Sequence, residues 1–113
     1  MKAVYISVPI TGRKIEDVKK HTLMVSETYL NEFELIINPV KARDSLHFIL
    51  NDGRAESGED DYIPSYGEYI GYDIQYLIDI ADTIFFCRGW HESKGCRLEF
   101  AAAKIYGKEI MFE

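Results

Sequence analysis

Two acidic residues in helical segments are the first candidates for chemistry. Asp73 follows Ile70 by three positions and precedes Leu77 by four, so it lies on or beside the apolar face of its helix. An acid there needs a partner or a task, unless it sits at the edge of that face and reaches solvent or the backbone. Glu99 stands in the first turn or so of the last long helix, where the helix N-terminus favours the ionised form and suits a carboxylate nucleophile. Helix starts are also acidic for purely structural reasons, so both alternatives stay open for each acid.

The turn after the first apolar segment has the residue types of an anion-binding loop. It combines the hydroxyls of Ser7 and Thr11 with Gly12, which lets the backbone come close, and the cation Arg13. Such a turn either holds an anion at the start of the next helix or is a tight connection with a surface arginine. The stricter motifs G-x-x-x-x-G-K-[ST] and G-x-G-x-x-G do not occur, which argues against nucleoside triphosphatases and dinucleotide-binding proteins.

Aromatic residues supply further candidates. Tyr5 lies in the middle of the first strand and by default belongs to the core, where its hydroxyl needs a partner. Trp90 precedes Glu99 in a loop and either flanks a ligand or forms part of an interface. Five tyrosines crowd another region and either stack on a base or form a subunit contact: Tyr62, Tyr66, Tyr69, Tyr72 and Tyr76.

Histidine and cysteine spacing predicts neither a metal site nor a cofactor. His21, His47 and His91 are dispersed, without the spacing of paired ligands. Cys87 and Cys96 lack C-x-x-C spacing and a secretory context, so we expect two reduced thiols.

Alternating strand and helix patterns predict the scaffold that positions these residues. Apolar, β-branched runs predict strands at Lys2–Val8, Glu34–Asn38, Thr83–Cys87 and Glu109–Phe112. Helical spacing of apolar residues predicts helices at Ile15–Phe33, Tyr66–Ala81 and Gly95–Tyr106, with a weaker one at Arg43–Leu50. Loops are predicted at Asn51–Ser65, which either closes over a pocket or is disordered, and at Arg88–Lys94. The expected fold is a small doubly wound α/β three-layer sandwich, flavodoxin-like or Rossmann-like, with about four parallel strands and a ligand site at their carboxyl ends.

Length and charge bound the classes of function. The chain has 113 residues, which predicts one domain over residues 1–113. Thirteen basic and 19 acidic residues give a formal net charge of -6, the wrong sign for binding a nucleic acid polymer. There is no 18-residue apolar run, and the N-terminus enters a strand rather than a signal peptide, so we expect a cytoplasmic protein without a membrane partner.

Four segments spread over nearly the whole chain carry a resemblance. They are Y-I-S-V-P-I-T-G at residues 5–12, N-P-V at 38–40, D-I-x-x-L-x-x-x-D with one extra residue from Asp73 to Asp82, and G-W-x-x-S-x-G-x-x-x-E from Gly89 to Glu99. Together they resemble the nucleoside 2-deoxyribosyltransferase-like superfamily, most closely its small branch of unknown function, and are also similar to the 2'-deoxynucleoside 5'-phosphate N-hydrolases.

The resemblance implies roles for three residues. In that superfamily a glutamate attacks the anomeric carbon of a nucleoside or nucleotide while the base leaves, as in a retaining glycosidase. Glu99 holds that position here, Asp73 would bind the sugar hydroxyls and assist departure of the base, and Tyr5 would orient the glutamate. The residues implied to lie at the substrate are Ser7, Thr11, Gly12, Arg13, Gly89, Trp90, Ser93 and Gly95.

Two departures refine this expectation. Ser93 stands where the transferases carry an acid, as in the hydrolase branch, whose serine helps bind phosphate, and this favours a nucleotide. The sequence ends at Glu113 without the C-terminal asparagine that transferases lend to a neighbouring subunit, which favours hydrolysis over base exchange. Because sites in the superfamily are completed across a dimer, the resemblance also implies a homo-oligomer.

The sequence therefore predicts an N-glycosidase-like enzyme that cleaves or transfers the base–sugar bond of a nucleotide or nucleoside. Two alternatives stay open. A noncatalytic nucleotide or nucleotide-sugar sensor would keep the pocket without turnover, and a structural subunit would bind no small ligand and expose a large apolar face.

Overall fold

The computed structural model describes residues 2–40 and 65–113, which alternate between strands and helices. The predicted helix at 43–50 and nearly all of the predicted loop at 51–65 lie outside the described residues. The elements are β1 (Ala3–Ser7), α1 (Ile15–Tyr29), β2 (Leu35–Ile37), α2 (Tyr66–Asp79), β3 (Thr83–Phe86), a 3₁₀ turn (Trp90–Glu92), α3 (Lys94–Ile105) and β4 (Glu109–Phe112).

The four strands form one parallel sheet in the order β2-β1-β3-β4. Tyr5 in β1 pairs with Ile37 on one side and with Ile84 on the other, which fixes the register at the centre of the sheet. The first crossover leads to one side of β1 and the next strand, β3, lies on the other side, so the strand order switches between β1 and β3. Ligands of doubly wound folds bind outside the carboxyl ends of the strands at this switch. The predicted doubly wound α/β fold is thus confirmed.

Each face of the sheet packs against its own helices, because the strands are apolar on both sides. On one face Val4 and Phe85 pack in a core cluster with Val18 of α1. On the other face Ile84 packs with Leu77 of α2, in a cluster that also holds Ala103 of α3. Three layers result, with α1 on one side and α2 and α3 on the other.

The helices end where the chain must turn back to the sheet. The sequence predicts that the first helix reaches Phe33, but α1 ends at Tyr29, and the Asn31 side chain donates to the carbonyl of Glu27 at 2.9 Å in its last turn. Phe33 lies in the turn that follows α1, and its side chain is buried there. Likewise α2 ends at Asp79, before Asp82, whose carboxylate accepts from the Ala3 N–H at 2.8 Å and ties the start of β3 to β1.

Both cysteines are buried free thiols, as predicted. Burial raises the pKa of each thiol, that of Cys87 to about 12. None of the described helices has the length and apolar character needed to cross a membrane.

Candidate functional site

Glu99 is held on α3, which begins one residue earlier than predicted. Ser93 is the N-cap, and its hydroxyl accepts from the Cys96 N–H at 3.3 Å. Because α3 starts at Lys94, Glu99 lies in the second turn rather than the first. The effect of the helix N-terminus falls off within the first turn, so its stabilisation of the Glu99 charge stays a prediction. Glu99 is only 5% exposed and needs support from other elements.

That support comes from β1. The buried Ser7 hydroxyl donates to Glu99 Oε1 at 2.9 Å, which joins the carboxyl end of the central strand to α3. Tyr5 lies two positions earlier and, because side chains alternate along a strand, points to the same face of the sheet. It is fully buried in the core cluster that also contains residues of α2 and α3.

Asp73 enters the same region from α2. It is 2% exposed, whereas Ile70 and Ile74 on the same helix are only half-buried. The alternative of an edge acid that reaches solvent is thus excluded, and the predicted position on the sheet-facing side of the helix is confirmed. Burial of a carboxyl group at this depth costs free energy unless neighbouring groups compensate it, so an aspartate at this position indicates a specific structural or functional role.

Tyr5, Asp73 and Glu99 line one small cavity, which we call the acid pocket. Its volume is about 20 Å³, enough for about one water molecule. A Cβ atom on Gly95 would lie 3.2 Å from Ile70 Cδ1 and 3.3 Å from the Tyr66 hydroxyl, so glycine here allows α2 and α3 to approach closely. The remaining lining residues are Val8, Ile10, Thr11, Pro39, Ser93 and Cys96.

A much larger depression, which we call the open cleft, adjoins the acid pocket and has a volume of about 970 Å³. The two share Thr11, Tyr66 and Ser93 in their linings, so these residues form the wall between them. The rest of the cleft is lined by Pro9, Arg13, His21, Met24, Arg88, Gly89, Glu92, Lys94 and Glu113. Three of these are basic and two are acidic, so the lining of the cleft carries a formal charge of +1 with His21 neutral, in a chain with a net charge of -6.

The structure brings together most, but not all, of the residues predicted to lie at the substrate. Thr11, Arg13, Gly89 and Ser93 line the open cleft, Gly95 lines the acid pocket, and Ser7 supports Glu99. Among the described residues, those that line the two pockets do not include Gly12 and Trp90. Gly12 has φ of 79°, so the turn itself requires glycine. The Trp90 ring stacks on Phe100, with their centroids 4.8 Å apart.

Sequence reasoning missed a polar cluster at the edge of the cleft. His21 Nε2 lies 2.8 Å from Glu113 Oε1, which also accepts from the Arg88 backbone N–H at 2.8 Å. Burial acts to raise the pKa of the Glu113 carboxyl, but the hydrogen bonds from Arg88 and His21 outweigh it, and the pKa is lowered. The histidine and glutamate are far apart in sequence. Pairing of β3 with β4 sets Glu113 beside the Arg88 backbone, but the contact with His21 also depends on the position of α1, which no sequence pattern indicates.

Comparison with known protein families gives a match that covers the whole sheet and its helices. A family model described as a domain of unknown function, DUF4406, matches residues 2–112. Neither a curated protein nor a solved structure matches the chain. Because the family model spans all the strands and helices described above, the chain belongs to the DUF4406 family.

Proposed function

We propose that the protein is an N-glycosidase-like enzyme that cleaves the base–sugar bond of a nucleotide or nucleoside, with Glu99 as the nucleophile. The observation that carries this proposal is the buried Glu99 carboxylate, held by the Ser7 hydroxyl at 2.9 Å and sharing one pocket with Asp73 and Tyr5. The resemblance in sequence implies the same three residues, and the pocket gathers them from three separate elements.

In the proposed reaction the Glu99 carboxylate forms a bond to the anomeric carbon. The carbon–nitrogen bond to the base breaks, its electron pair stays on the nitrogen, and the base takes up a proton from solvent water. An oxocarbenium-like transition state benefits from the adjacent negative charge. Asp73 binds the sugar hydroxyls and assists the leaving base. Water, or a second base, then attacks the glycosyl ester and releases Glu99.

The hydrogen bond from Ser7 has a specific role in this scheme. It fixes one oxygen of the carboxylate, and thereby its plane, before the substrate arrives. Preorganisation of this kind lowers the barrier because no reorientation is needed at the moment of reaction. Tyr5, two residues earlier on β1, lies against the same pocket and limits where the carboxylate can move.

The size and charge of the two pockets favour a phosphorylated substrate. The acid pocket holds about one water molecule, so the sugar enters only when the shared wall moves. Tyr66, the largest of the three wall residues, is 55% exposed, so rotation of its side chain would widen the passage between the two pockets. The open cleft has room for the rest of a nucleotide, and Arg13, Arg88 and Lys94 there suit its 5'-phosphate.

The decisive experiment measures base release by chromatography from a panel of purine and pyrimidine nucleosides and their 5'-monophosphates. We expect the wild type to release a base, and Glu99→Gln to lose at least about 10³-fold in turnover while its melting temperature stays close to that of the wild type. Glu27→Gln, which alters an exposed acid on α1, is the matched control and should keep full activity. Activity in folded Glu99→Gln would show that the nucleophile is assigned wrongly.

A second candidate function is a nucleotide or nucleotide-sugar sensor without turnover. The observation that favours it is the contrast in volume between the small acid pocket and the open cleft, which offers binding space beside Glu99 rather than around it. A nucleotide that raises the melting temperature but is not cleaved to a free base would support the sensor function and rule out the enzymatic one.

We further propose that copies of the chain associate through α2 and that the protein acts in the cytoplasm, where both thiols stay reduced. Tyr72 and Tyr76 have their hydroxyls 3.1 Å apart and line a hollow of about 220 Å³, together with the exposed Ile80. Tyrosines are enriched at interfaces. Sedimentation equilibrium of the wild type and of Ile80→Asp tests this: a dimer that the substitution dissociates supports it, and a monomeric wild type removes it.

A further inference from the structure

The polar cluster at the edge of the open cleft contains a third group, the thiol of Cys87. The residues come from three places in the fold: His21 lies on α1, Cys87 directly follows β3, and Glu113 directly follows β4. One ligand atom from each, the imidazole nitrogen, the thiol sulfur and a carboxylate oxygen, all lie within 4.8 Å of one another. Parallel pairing of β3 with β4 aligns Phe86 with Phe112, and so sets the two following residues side by side.

We propose that His21, Cys87 and Glu113 bind a divalent transition-metal ion, with Zn²⁺ as the best match. Imidazole, thiolate and carboxylate are the three ligand types that Zn²⁺ takes in proteins, and three protein ligands leave a fourth position open. A thiolate and a carboxylate together balance the charge of a divalent ion. The sulfur ligand disfavours Mg²⁺ and Ca²⁺, which prefer oxygen.

The geometry requires only small movements. In a tetrahedral zinc site the ligand atoms lie about 3.3–3.6 Å apart, given metal–ligand distances of about 2.0–2.3 Å. His21 Nε2 and Glu113 Oε1 are now 2.8 Å apart and would separate by about 0.5–0.8 Å, while the widest separation in the cluster, up to 4.8 Å, would shrink by about 1.2–1.5 Å. Because Cys87 is fully buried, the adjustment falls to His21 and Glu113, which line the cleft and whose side chains are 15% and 5% exposed.

The hydrogen bonds also define where the protons go. An arginine side chain only donates, so the Arg13 contact at 3.2 Å makes His21 Nδ1 an acceptor and places the imidazole proton on Nε2, which donates to Glu113. When the ion takes Nε2, that proton moves to Nδ1, and the Cys87 thiol releases its proton to solvent as the metal–sulfur bond forms. Protonated Nδ1 can no longer accept from Arg13, so the exposed guanidinium turns away from His21.

This site is separate from the acid pocket. Cys87 packs in the core cluster on the α1 face of the sheet, whereas Glu99 and Asp73 line the pocket that opens between α2 and α3 on the other face. His21 and Glu113 line the open cleft, so an ion can reach them from there. The inference therefore stands independently of the proposed N-glycosidase activity.

The test is titration of the full-length, chelator-treated protein with Co²⁺, which reports a cysteine ligand through a thiolate-to-cobalt charge-transfer band in the near ultraviolet. We expect one equivalent of Co²⁺ to produce the band and Zn²⁺ to abolish it by competition. Cys87→Ser should lose the band, and His21→Gln should weaken binding at least about tenfold. The matched controls Cys96→Ser and His91→Gln, which alter the other thiol and an exposed imidazole, should bind like the wild type.

Two results would overturn the proposal: no band in the folded wild type, or a band that persists in Cys87→Ser. If circular dichroism shows that Cys87→Ser does not fold, His21→Gln and Glu113→Gln decide the question. Loss of binding in both supports the site, whereas unchanged binding in either removes that residue as a ligand and the site with it.

Discussion

The acid pocket and the open cleft lie side by side at the carboxyl ends of the strands, yet they are built in opposite ways. The acid pocket is buried and has a volume of about 20 Å³, and its acids are positioned by the core of the protein. The cleft has a volume of about 970 Å³ and is lined largely by exposed side chains from turns and helix ends. The wall between them consists of Thr11, Tyr66 and Ser93.

The difference indicates a division of labour. Groups that must be oriented for chemistry need rigid neighbours and the exclusion of water, because fixed dipoles act more strongly in a dry site. Groups that capture a charged substrate work at the surface, where electrostatic attraction acts over a distance. Substitutions in the acid pocket should therefore lower kcat, and substitutions in the cleft should raise KM.

After Glu99→Gln, the largest effect is expected from Asp73→Asn, which removes the charge and keeps the shape. We expect kcat to fall about 10²–10³-fold, because the second acid no longer assists departure of the base. The measurement is steady-state base release on the best substrate of the panel. Asp79→Asn, which changes an exposed acid on the same helix, is the control. Equal kcat values in the two variants would make Asp73 a structural residue.

The burial of Asp73 and the four-stranded sheet could be predicted from sequence, because both follow from periodicity, whereas the division into two pockets could not. The spacing of Asp73 from Ile70 and Leu77 correctly places that acid on the buried face, and the apolar runs correctly give four parallel strands. The contact of Ser7 with Glu99 follows less directly, since it depends on how closely α3 approaches the end of β1.

Other features lie beyond sequence patterns. Trp90 precedes Glu99 in a loop that invites a ligand, but its ring packs on Phe100, because an aromatic cluster buries more apolar surface than an exposed loop. The contact of His21 with Glu113 joins residues 92 positions apart and has no spacing rule. It depends on where α1 lies over the carboxyl ends of the strands, which only the folded protein defines.

Ser7→Ala should give the next largest effect, on stability as well as on turnover. It removes a buried hydrogen bond to a carboxylate, so the free energy of unfolding should fall by about 1.5–3 kcal/mol. Urea denaturation measures this loss, and kcat should fall about tenfold as the carboxylate loses its orientation. The control Ser26→Ala removes a hydroxyl that donates to the backbone carbonyl of Thr22 at 2.8 Å and should cost about 1 kcal/mol or less. Equal losses of unfolding free energy in the two variants would show that the hydrogen bond from Ser7 to Glu99 stabilises the protein no more than an ordinary one.

Arg13→Gln tests the cleft in the same terms. The guanidinium is exposed and donates to the Pro9 carbonyl at 2.9 Å, which holds it at the rim. Loss of one cation from an open surface should raise KM for a 5'-monophosphate about five- to tenfold, with little change in kcat or in KM for the nucleoside. Arg97→Gln, on the exposed side of α3, should leave both constants unchanged. A fall in kcat with unchanged KM would show that Arg13 acts in the chemical step rather than in substrate binding.

The smallest expected effects are the changes in stability caused by alanine substitutions at two glycines, and they test how tightly α2 packs against α3. Gly71 is exposed in the middle of α2 with no atom within 4 Å of an added Cβ, so Gly71→Ala should stabilise the protein by about 0.5–1 kcal/mol. Gly95→Ala lies in the first turn of α3, so it gains at most the same preference of alanine for a helix, and its methyl group meets Ile70 at 3.2 Å and the Tyr66 hydroxyl at 3.3 Å. The two unfolding free energies, measured in urea, should differ by the cost of moving these side chains. An equal gain at both positions would mean that α2 and α3 separate freely, so that the acid pocket opens without help from the substrate.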